Sequence, residues 1–164
     1  SVSFLWFQLL KNMLVNPLKD RQEDDHDRTT AKECMIDVCY RYYHDNPIQR
    51  GNIDKFKETY RASDAIRWYT GDSFIYKIIN RALRTEELKA LHKVRFYTAD
   101  LCSCLAAKHR STVDDEPEFS KVYHGSQTTT EEINLLKEYE ACLIATNGFL
   151  STSGTHEVAK IFAG

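Results

Sequence analysis

A helical spacing of apolar residues runs through the first two thirds of the sequence and limits what the chain can fold into. Between residue 3 and about residue 109, apolar side chains recur every three or four positions, which places them on one face of a helix. The strongest segment follows Gly71 and carries a wide apolar stripe made of Phe74, Ile75, Ile78, Ile79, Ala82 and Leu83. The sequence therefore predicts a layer of helices over residues 1–110.

Local signals predict where these helices begin and end. The apolar run Phe4–Val15 predicts a helix, and it is too short for a membrane span of about 20 residues. Thr30–Glu33 has the pattern of a capping box and predicts a helix start. Asn46–Gly51 predicts a break, because the residue before proline avoids the α region and glycine readily takes a positive φ. The next helix is then expected from Asn52, and the cap at 85–87 predicts a further helix as far as Ala106.

The character of the sequence changes near residue 110. Arg110–Ser120 is polar, acidic and contains proline, which is typical of a surface connection. After this stretch the spacing of apolar residues shifts toward every second position, which is typical of strands. The predicted strands are Lys121–Gly125, Ala141–Ile144 and Phe149–Ser153. The predicted helices begin at Thr129–Glu132 and near His156. The predicted fold class is therefore α+β, with a helical region over residues 1–110 and the incomplete start of a mixed β-sheet over residues 118–164.

Composition excludes several function classes. The net charge of -2 provides no global basic field for nucleic acid. The chain has no Asn-x-Ser/Thr sequon, which leans toward an intracellular protein. The cysteines have neither the spacing of a zinc site nor that of a disulfide framework, so free thiols and no metal are expected for Cys34, Cys39, Cys102, Cys104 and Cys142.

Two short motifs in the last third carry the chemistry. The first is Val122-Tyr123-His124-Gly125, where a glycine without a Cβ lets the backbone approach a flat ligand. The second is Ser151-Thr152-Ser153, whose three hydroxyls can orient another side chain or contact a sugar. The alternative is that these hydroxyls are solvated, or that Ser153 or Thr155 caps the next helix.

Together the motifs resemble the mono-ADP-ribosyltransferases of the arginine-modifying type. The resemblance extends beyond the serine triplet to Gly148-Phe149-Leu150 before it and Glu157-Val158-Ala159 after it. It also includes Trp68–Tyr76 and Asn80–Arg84 in the helical region. It implies the start of the ADP-ribosyltransferase mixed-sheet fold at residues 118–164, NAD as co-substrate, and an acceptor protein with an exposed arginine.

The resemblance also implies a role for individual residues. Ser151 is the catalytic-site serine that would orient the catalytic glutamate and contact the nicotinamide ribose. Gly125 would offer its backbone amide and carbonyl to the nicotinamide carboxamide, and His124 would contact the NAD ribose or phosphate. The remaining expected NAD-binding residues are Tyr123, Thr152 and Ser153.

The sequence departs from this family in two respects. His124 stands where the arginine-modifying group has arginine, and the run His124-Gly125-Ser126 is instead similar to the diphtheria-toxin-like and poly-ADP-ribose polymerase branch. No Glu-x-Glu follows Ser153, so the chain by itself is expected to be inactive and the catalytic glutamate is expected beyond Gly164. The Glu-x-Glu pattern does occur before the serine triplet, at Glu138-Tyr139-Glu140 and at Glu116-Pro117-Glu118. Because of that position, these residues are interpreted as solvated acids.

Two alternatives to transfer remain open on the sequence. One is a catalytically silent relative that binds NAD or uses the helical layer to contact another protein. The other is an NAD glycohydrolase, which would use the same site with water as acceptor. The histidines outside the motif are interpreted as surface or structural groups: His26, His44, His92, His109 and His156.

Overall fold

Helices dominate the computed structural model, which describes residues 25–71, 74–85, 87–112, 121–125, 129–140 and 148–163. They are α1 (Asp25–Tyr42), α2 (Pro47–Thr59), α3 (Ala65–Thr70, preceded by one 3-10 turn at Ala62–Asp64), α4 (Phe74–Thr85), α5 (Leu88–Thr112), α6 (Thr130–Glu138) and α7 (His156–Ala163). The chain divides into two compact units between Ser111 and Thr112. The described residues before this division are called the helical unit, and those after it the C-terminal unit.

Helix α4 is central to the packing of the helical unit. Helices α1, α2 and α3 each pack against it, and α1 also packs against α2. All six residues of its predicted apolar stripe are buried, which confirms that prediction. Helix α5 contributes further buried side chains to the core: Leu91, Val94, Phe96, Tyr97, Ala99 and Leu101.

An aromatic cluster around Phe56 fills the core of the helical unit. Phe56 is fully buried, and its ring centroid lies 4.3 Å from that of Tyr60 and 5.2 Å from that of Trp68. The rings of Phe74 and Tyr97 lie 5.7 Å and 6.1 Å away. The pairs with Trp68 and Phe74 are edge-to-face, an arrangement in which the positive edge of one ring meets the negative face of the other.

Buried tyrosine hydroxyls in this core donate hydrogen bonds. Tyr97 donates to the carbonyl oxygen of Ala65 at 2.6 Å, and Tyr69 donates to Oδ1 of Asn80 at 2.9 Å. A buried hydroxyl without a partner would cost free energy, so these bonds allow the polar ends of the rings to lie inside the unit. Burial raises the pKa of Tyr69 to about 12, which keeps its hydroxyl protonated and able to donate.

Two predicted helix starts are wrong in the same way. A break separates α1 from α2 as predicted, but it covers residues 43–46 and the next helix begins at Pro47, not Asn52. The reason is that Asn46 caps α2, because its side chain accepts a hydrogen bond from the backbone amide of Gln49 at 3.0 Å. Pro47 follows at the start of the helix, where its missing N–H is not needed. Thr30 lies inside α1 and donates to the carbonyl oxygen of His26 at 3.0 Å, so it does not cap a helix. The two predicted helix starts, Thr30 and Asn52, therefore both lie inside helices, and the residues that begin these helices come earlier in the sequence.

The predicted α+β fold class, with the start of an ADP-ribosyltransferase mixed β-sheet, is wrong for the part of the chain that the structure describes. Neither Lys121–Gly125 nor Phe149–Ser153 forms a strand, and a single antiparallel bridge joins Tyr123 to Ser153. A strand in a half-buried sheet needs a buried apolar face and a ladder of consecutive hydrogen bonds. Val122 is 55% exposed and Leu150 is 51% exposed, so the apolar residues of these segments lack such a face.

Several other predictions have mixed outcomes. The predicted helices from Thr129–Glu132 and near His156 are confirmed as α6 and α7. Helix α5 runs to Thr112, six residues beyond Ala106, and so takes up the start of the predicted connection. The helix predicted at 4–15, the rest of the connection and the strand predicted at 141–144 lie outside the described residues.

Candidate functional site

A backbone pairing brings the two predicted motifs together in the C-terminal unit. The amide of Tyr123 donates to the carbonyl oxygen of Ser153 at 2.8 Å, and the amide of Ser153 donates to the carbonyl oxygen of Tyr123 at 2.8 Å. This exchange of two hydrogen bonds is the arrangement of a hydrogen-bonded residue pair in an antiparallel ladder. The motifs are therefore neighbours in space although they are far apart in the sequence.

A side-chain contact strengthens this pairing. Nδ1 of His124 lies 2.7 Å from the carbonyl oxygen of Ser151, a residue 27 positions away. Because a carbonyl oxygen only accepts, Nδ1 carries the proton in this contact, and Nε2 of the neutral ring keeps its lone pair. The imidazole of His124 is exposed, so Nε2 of the neutral ring can accept a hydrogen bond at the surface of the unit.

Tyr123 connects the first motif to the start of α7. Its ring centroid lies 5.1 Å from that of His156, with an angle of 59° between the ring planes. Nζ of Lys121 lies 5.5 Å from the same tyrosine ring, within the range of a cation–π contact. The tyrosine is half-buried, and these two neighbours limit the positions its ring can take.

The three hydroxyl residues of the second motif have different environments. Oγ of Ser153 accepts a hydrogen bond from the backbone amide of Thr155 at 3.1 Å, so this hydroxyl supports the turn that leads into α7. Ser151 and Thr152 are exposed. The alternative that Ser153 supports the next helix therefore holds for this one residue, and the exposure of Ser151 and Thr152 agrees with the alternative that these hydroxyls are solvated.

Direct contacts join four of the six predicted site residues. Tyr123, His124, Ser151 and Ser153 are linked by the bridge and the imidazole contact. Gly125 is half-buried and Thr152 is exposed, and each lies next to a joined residue in the sequence. The surface of the site offers the imidazole of His124, the hydroxyl-bearing side chains of Ser151 and Thr152, and the backbone of Gly125.

One of the two Glu-x-Glu sequences before the serine triplet, Glu138-Tyr139-Glu140, lies at the end of α6. Glu138 is the last residue of α6, and both Glu138 and Glu140 are exposed, in agreement with their interpretation as solvated acids. Glu116-Pro117-Glu118 lies outside the described residues. The histidines outside the motif are also exposed, as predicted: His26, His44, His92, His109 and His156.

The sequence analysis missed a buried charge cluster in the helical unit. Nη2 of Arg28 lies 2.8 Å and 2.7 Å from the two carboxylate oxygens of Asp100, and the hydroxyl of Tyr60 donates to Oδ2 of Asp100 at 2.8 Å. The guanidinium also lies 4.8 Å from the ring centroid of Phe96. Burial and the nearby carboxylate raise the pKa of Tyr60. The cluster holds α1, α5 and the residue after α2 together.

Cysteines and metal ligands do not form a further site in the described part of the chain. No disulfide joins the cysteines at positions 34, 39, 102 and 104. Among the described residues, no group of three or more His, Cys, Asp or Glu side chains is arranged to hold a metal ion. None of the described helices combines the length and apolar character that crossing a membrane requires.

Comparison with known proteins adds no family assignment. The chain matches no protein-family model, no curated protein and no solved structure. The functional interpretation therefore depends on the two motifs and on the contacts between them.

Proposed function

We propose that this chain carries the NAD-binding part of a mono-ADP-ribosyltransferase that modifies arginine side chains. The observation that supports this most is the two-hydrogen-bond pairing of Tyr123 with Ser153, because it joins the two motifs whose combination resembles that family. The contact of His124 with Ser151 is a second long-range link between the same motifs. The proposal concerns the motifs and their chemistry, and it does not include the mixed β-sheet.

The proposed reaction exchanges one bond at a sugar carbon. The bond between the nicotinamide nitrogen and C1′ of the ribose breaks, and its electron pair leaves with nicotinamide. C1′ forms a new bond to a guanidinium nitrogen of the acceptor, and that nitrogen loses a proton. Positive charge develops on the sugar in an oxocarbenium-like transition state. The protein must therefore hold the dinucleotide in place and stabilise this charge.

The described groups suit the binding part of this task. The exposed side chain of Ser151 is available to a ribose hydroxyl, and Gly125 has no Cβ of its own that would hold a flat carboxamide away from its backbone. Nε2 of His124 is an acceptor when Nδ1 donates to Ser151. A neutral imidazole pairs with a hydroxyl better than with a phosphate, so His124 is assigned to the ribose.

NAD binding without transfer is a second candidate function. The observation that favours it is His124 itself, because an imidazole lacks the permanent charge and the two-pronged donor geometry that arginine offers to phosphate. A silent relative would keep the contacts to the ribose and lose the reaction. A glycohydrolase would differ from both by transferring C1′ to water.

Calorimetric titration of the 164-residue chain with NAD tests the binding step. We expect His124→Ala and Ser151→Ala each to weaken binding about tenfold, which corresponds to about 1.4 kcal/mol. Matched controls are His26→Ala and Ser103→Ala, which change exposed residues of the helical unit and should leave the affinity unchanged. If NAD does not bind, or if the site variants bind as the controls do, the proposal is wrong.

Product analysis then separates the candidate functions. The natural protein that carries this sequence is incubated with NAD labelled in its adenylate half and with the arginine analogue agmatine. Transfer yields labelled ADP-ribosyl-agmatine, and a glycohydrolase yields labelled ADP-ribose alone. NAD binding with neither product would contradict the transferase proposal and support the silent relative.

A further inference from the structure

A groove with a cationic and aromatic lining lies between the end of α1 and α4. It has a volume of about 320 Å³, and its main lining residues are Tyr42, Tyr76, Lys77, Asn80, Arg81 and Arg84. All of them belong to the helical unit. The groove contains none of the motif residues of the C-terminal unit, so a ligand bound in it is independent of the proposed function.

Three cations line the groove without a carboxylate among the lining residues. Lys77, Arg81 and Arg84 follow one another at spacings of four and three residues, which places them along one face of α4 over about 10 Å. In the described part of the chain, none of the three forms a salt bridge. Arg81 instead lies over the ring of Tyr42, with its guanidinium carbon 5.3 Å from the centroid.

A buried amide adds a directional donor to these charges. Asn80 is only 6% exposed although it lines the groove. Its Oδ1 accepts the hydrogen bond from Tyr69, which leaves the NH₂ group as the donor end of the side chain. A buried amide with a fixed orientation is typical of the few polar groups that orient a ligand in a pocket.

Aromatic rings complete the lining. Tyr76 is partly exposed, and its ring centroid lies 5.3 Å from that of Tyr69 inside the unit. This contact supports the ring from one side while part of it remains open to solvent. Exposed rings beside cationic groups are the combination that binds the bases and phosphates of nucleotides, because every base has a face that stacks on an aromatic ring.

We infer that this groove binds a phosphate-bearing ligand with a flat ring, of the nucleoside diphosphate class. The guanidinium groups of Arg81 and Arg84 match the two-pronged acceptor geometry of phosphate, and Lys77 adds a point charge. Tyr76 receives the base, and the amide of Asn80 donates to an acceptor on the ligand. A volume of about 320 Å³ lies within the range of about 300–1,000 Å³ of small-molecule sites.

Calorimetric titration of the 164-residue chain with ADP and with pyrophosphate tests this inference. We expect ADP to bind, and Lys77→Glu combined with Arg84→Glu to weaken ADP binding at least tenfold while the stacking of Arg81 on Tyr42 stays intact. The matched control is Lys55→Glu combined with Lys93→Glu, which makes the same charge change at exposed positions outside the groove. An equal loss in the control would overturn the inference, because it would show a general charge effect.

The contribution of the ring is tested separately. Tyr76→Ala should weaken ADP binding and leave pyrophosphate binding unchanged, and ADP should bind more tightly than pyrophosphate. Equal affinities of the two ligands, or no ADP binding at all, would contradict the inference. His124→Ala should leave ADP binding intact, so a loss of ADP binding in that variant would assign the ligand to the C-terminal unit instead.

Discussion

Removing the arginine from the buried charge cluster of the helical unit should destabilise the protein strongly. Arg28 is 33% exposed at its side chain, whereas Asp100 is 8% exposed. Arg28→Met keeps an unbranched side chain against Phe96 and leaves the carboxylate of Asp100 with the hydrogen bond from Tyr60. The carboxylate then stays buried without its cationic partner.

The size of the effect follows from this geometry. Breaking a buried ion pair by removing one partner costs about 3–5 kcal/mol. Water reaches the exposed third of the Arg28 position, and Tyr60 still donates to the carboxylate, so we expect the lower end, about 3 kcal/mol. For a chain of this length, this corresponds to a fall in melting temperature of about 6–12 °C.

A second ion pair on the same helix provides the control. Nη2 of Arg41 lies 3.9 Å from Oδ2 of Asp37, and these side chains are 75% and 69% exposed. Arg41→Met makes the same substitution in α1 and should change the free energy of unfolding by less than about 0.5 kcal/mol, because exposed ion pairs contribute little. Urea unfolding followed by circular dichroism measures both variants.

A double variant tests the cause of the loss. Arg28→Met combined with Asp100→Leu removes the buried charge together with its partner and should recover most of the lost stability. If Arg28→Met and Arg41→Met unfold at the same urea concentration, the cluster around Asp100 does not stabilise the helical unit and the reasoning is refuted.

Three further predictions concern single groups of the helical unit. Asn46→Ala should cost about 1 kcal/mol of unfolding free energy in urea denaturation, because it removes the cap on the amide of Gln49; an unchanged midpoint would contradict this. Burial raises the pKa of Cys39 to about 12, so iodoacetamide at pH 8 should label the exposed Cys34 and spare Cys39 until the protein unfolds, as mass spectrometry of the peptides would show; equal labelling of both would contradict it. Partial desolvation of the exposed His92 ring and the neighbouring guanidinium of Arg95 hold the pKa of His92 below its ordinary 6.5, so the unfolded state takes up the proton first and stability falls as the pH drops below that value. His92→Gln should flatten this fall in thermal melts between pH 7 and pH 5, and an unchanged pH dependence would refute the assignment.

Apolar periodicity was sufficient to predict the helical core. The stripe of α4 is fully buried because its residues recur at the period of the helix, and that period is a local property of the sequence. Helix boundaries were harder to predict, since proline can end one helix and can also stand at the first position of the next. The break between helices was expected to extend to Gly51, but Pro47 already begins α2, because Asn46 before it supplies the cap.

Contacts between distant residues could not be predicted from local pattern. Arg28 and Asp100 are 72 positions apart, and each looks like an ordinary solvated charge in its own helix. The predicted strands at Lys121–Gly125 and Phe149–Ser153 are absent for a related reason, since a strand depends on partners elsewhere in the chain. Alternation around Tyr123 predicted a ladder, and the described structure contains one pair with Ser153.

The residues of the candidate site were predicted from the chemistry of the two motifs, but the hydrogen bonds that pair one motif with the other were not predicted. Resemblance selected His124 and Ser151 by residue type and order. The hydrogen bond between the imidazole of His124 and the carbonyl oxygen of Ser151 is a property of the folded chain, because it needs a particular proton position and a backbone placed 27 residues away. This contact is the part of the site that only a structure could supply.

Titration of the isotope-labelled 164-residue chain with NAD, followed by amide resonances, is the sharpest test of a shared NAD site. We expect the amide signals of residues 121–125 and 151–153 to shift together with one dissociation constant, because in the proposed site one NAD molecule contacts both motifs. His124→Ala should weaken this shared transition. Signals of these two segments that stay in place while NAD saturates the chain, or that shift with different dissociation constants, would contradict a common NAD site.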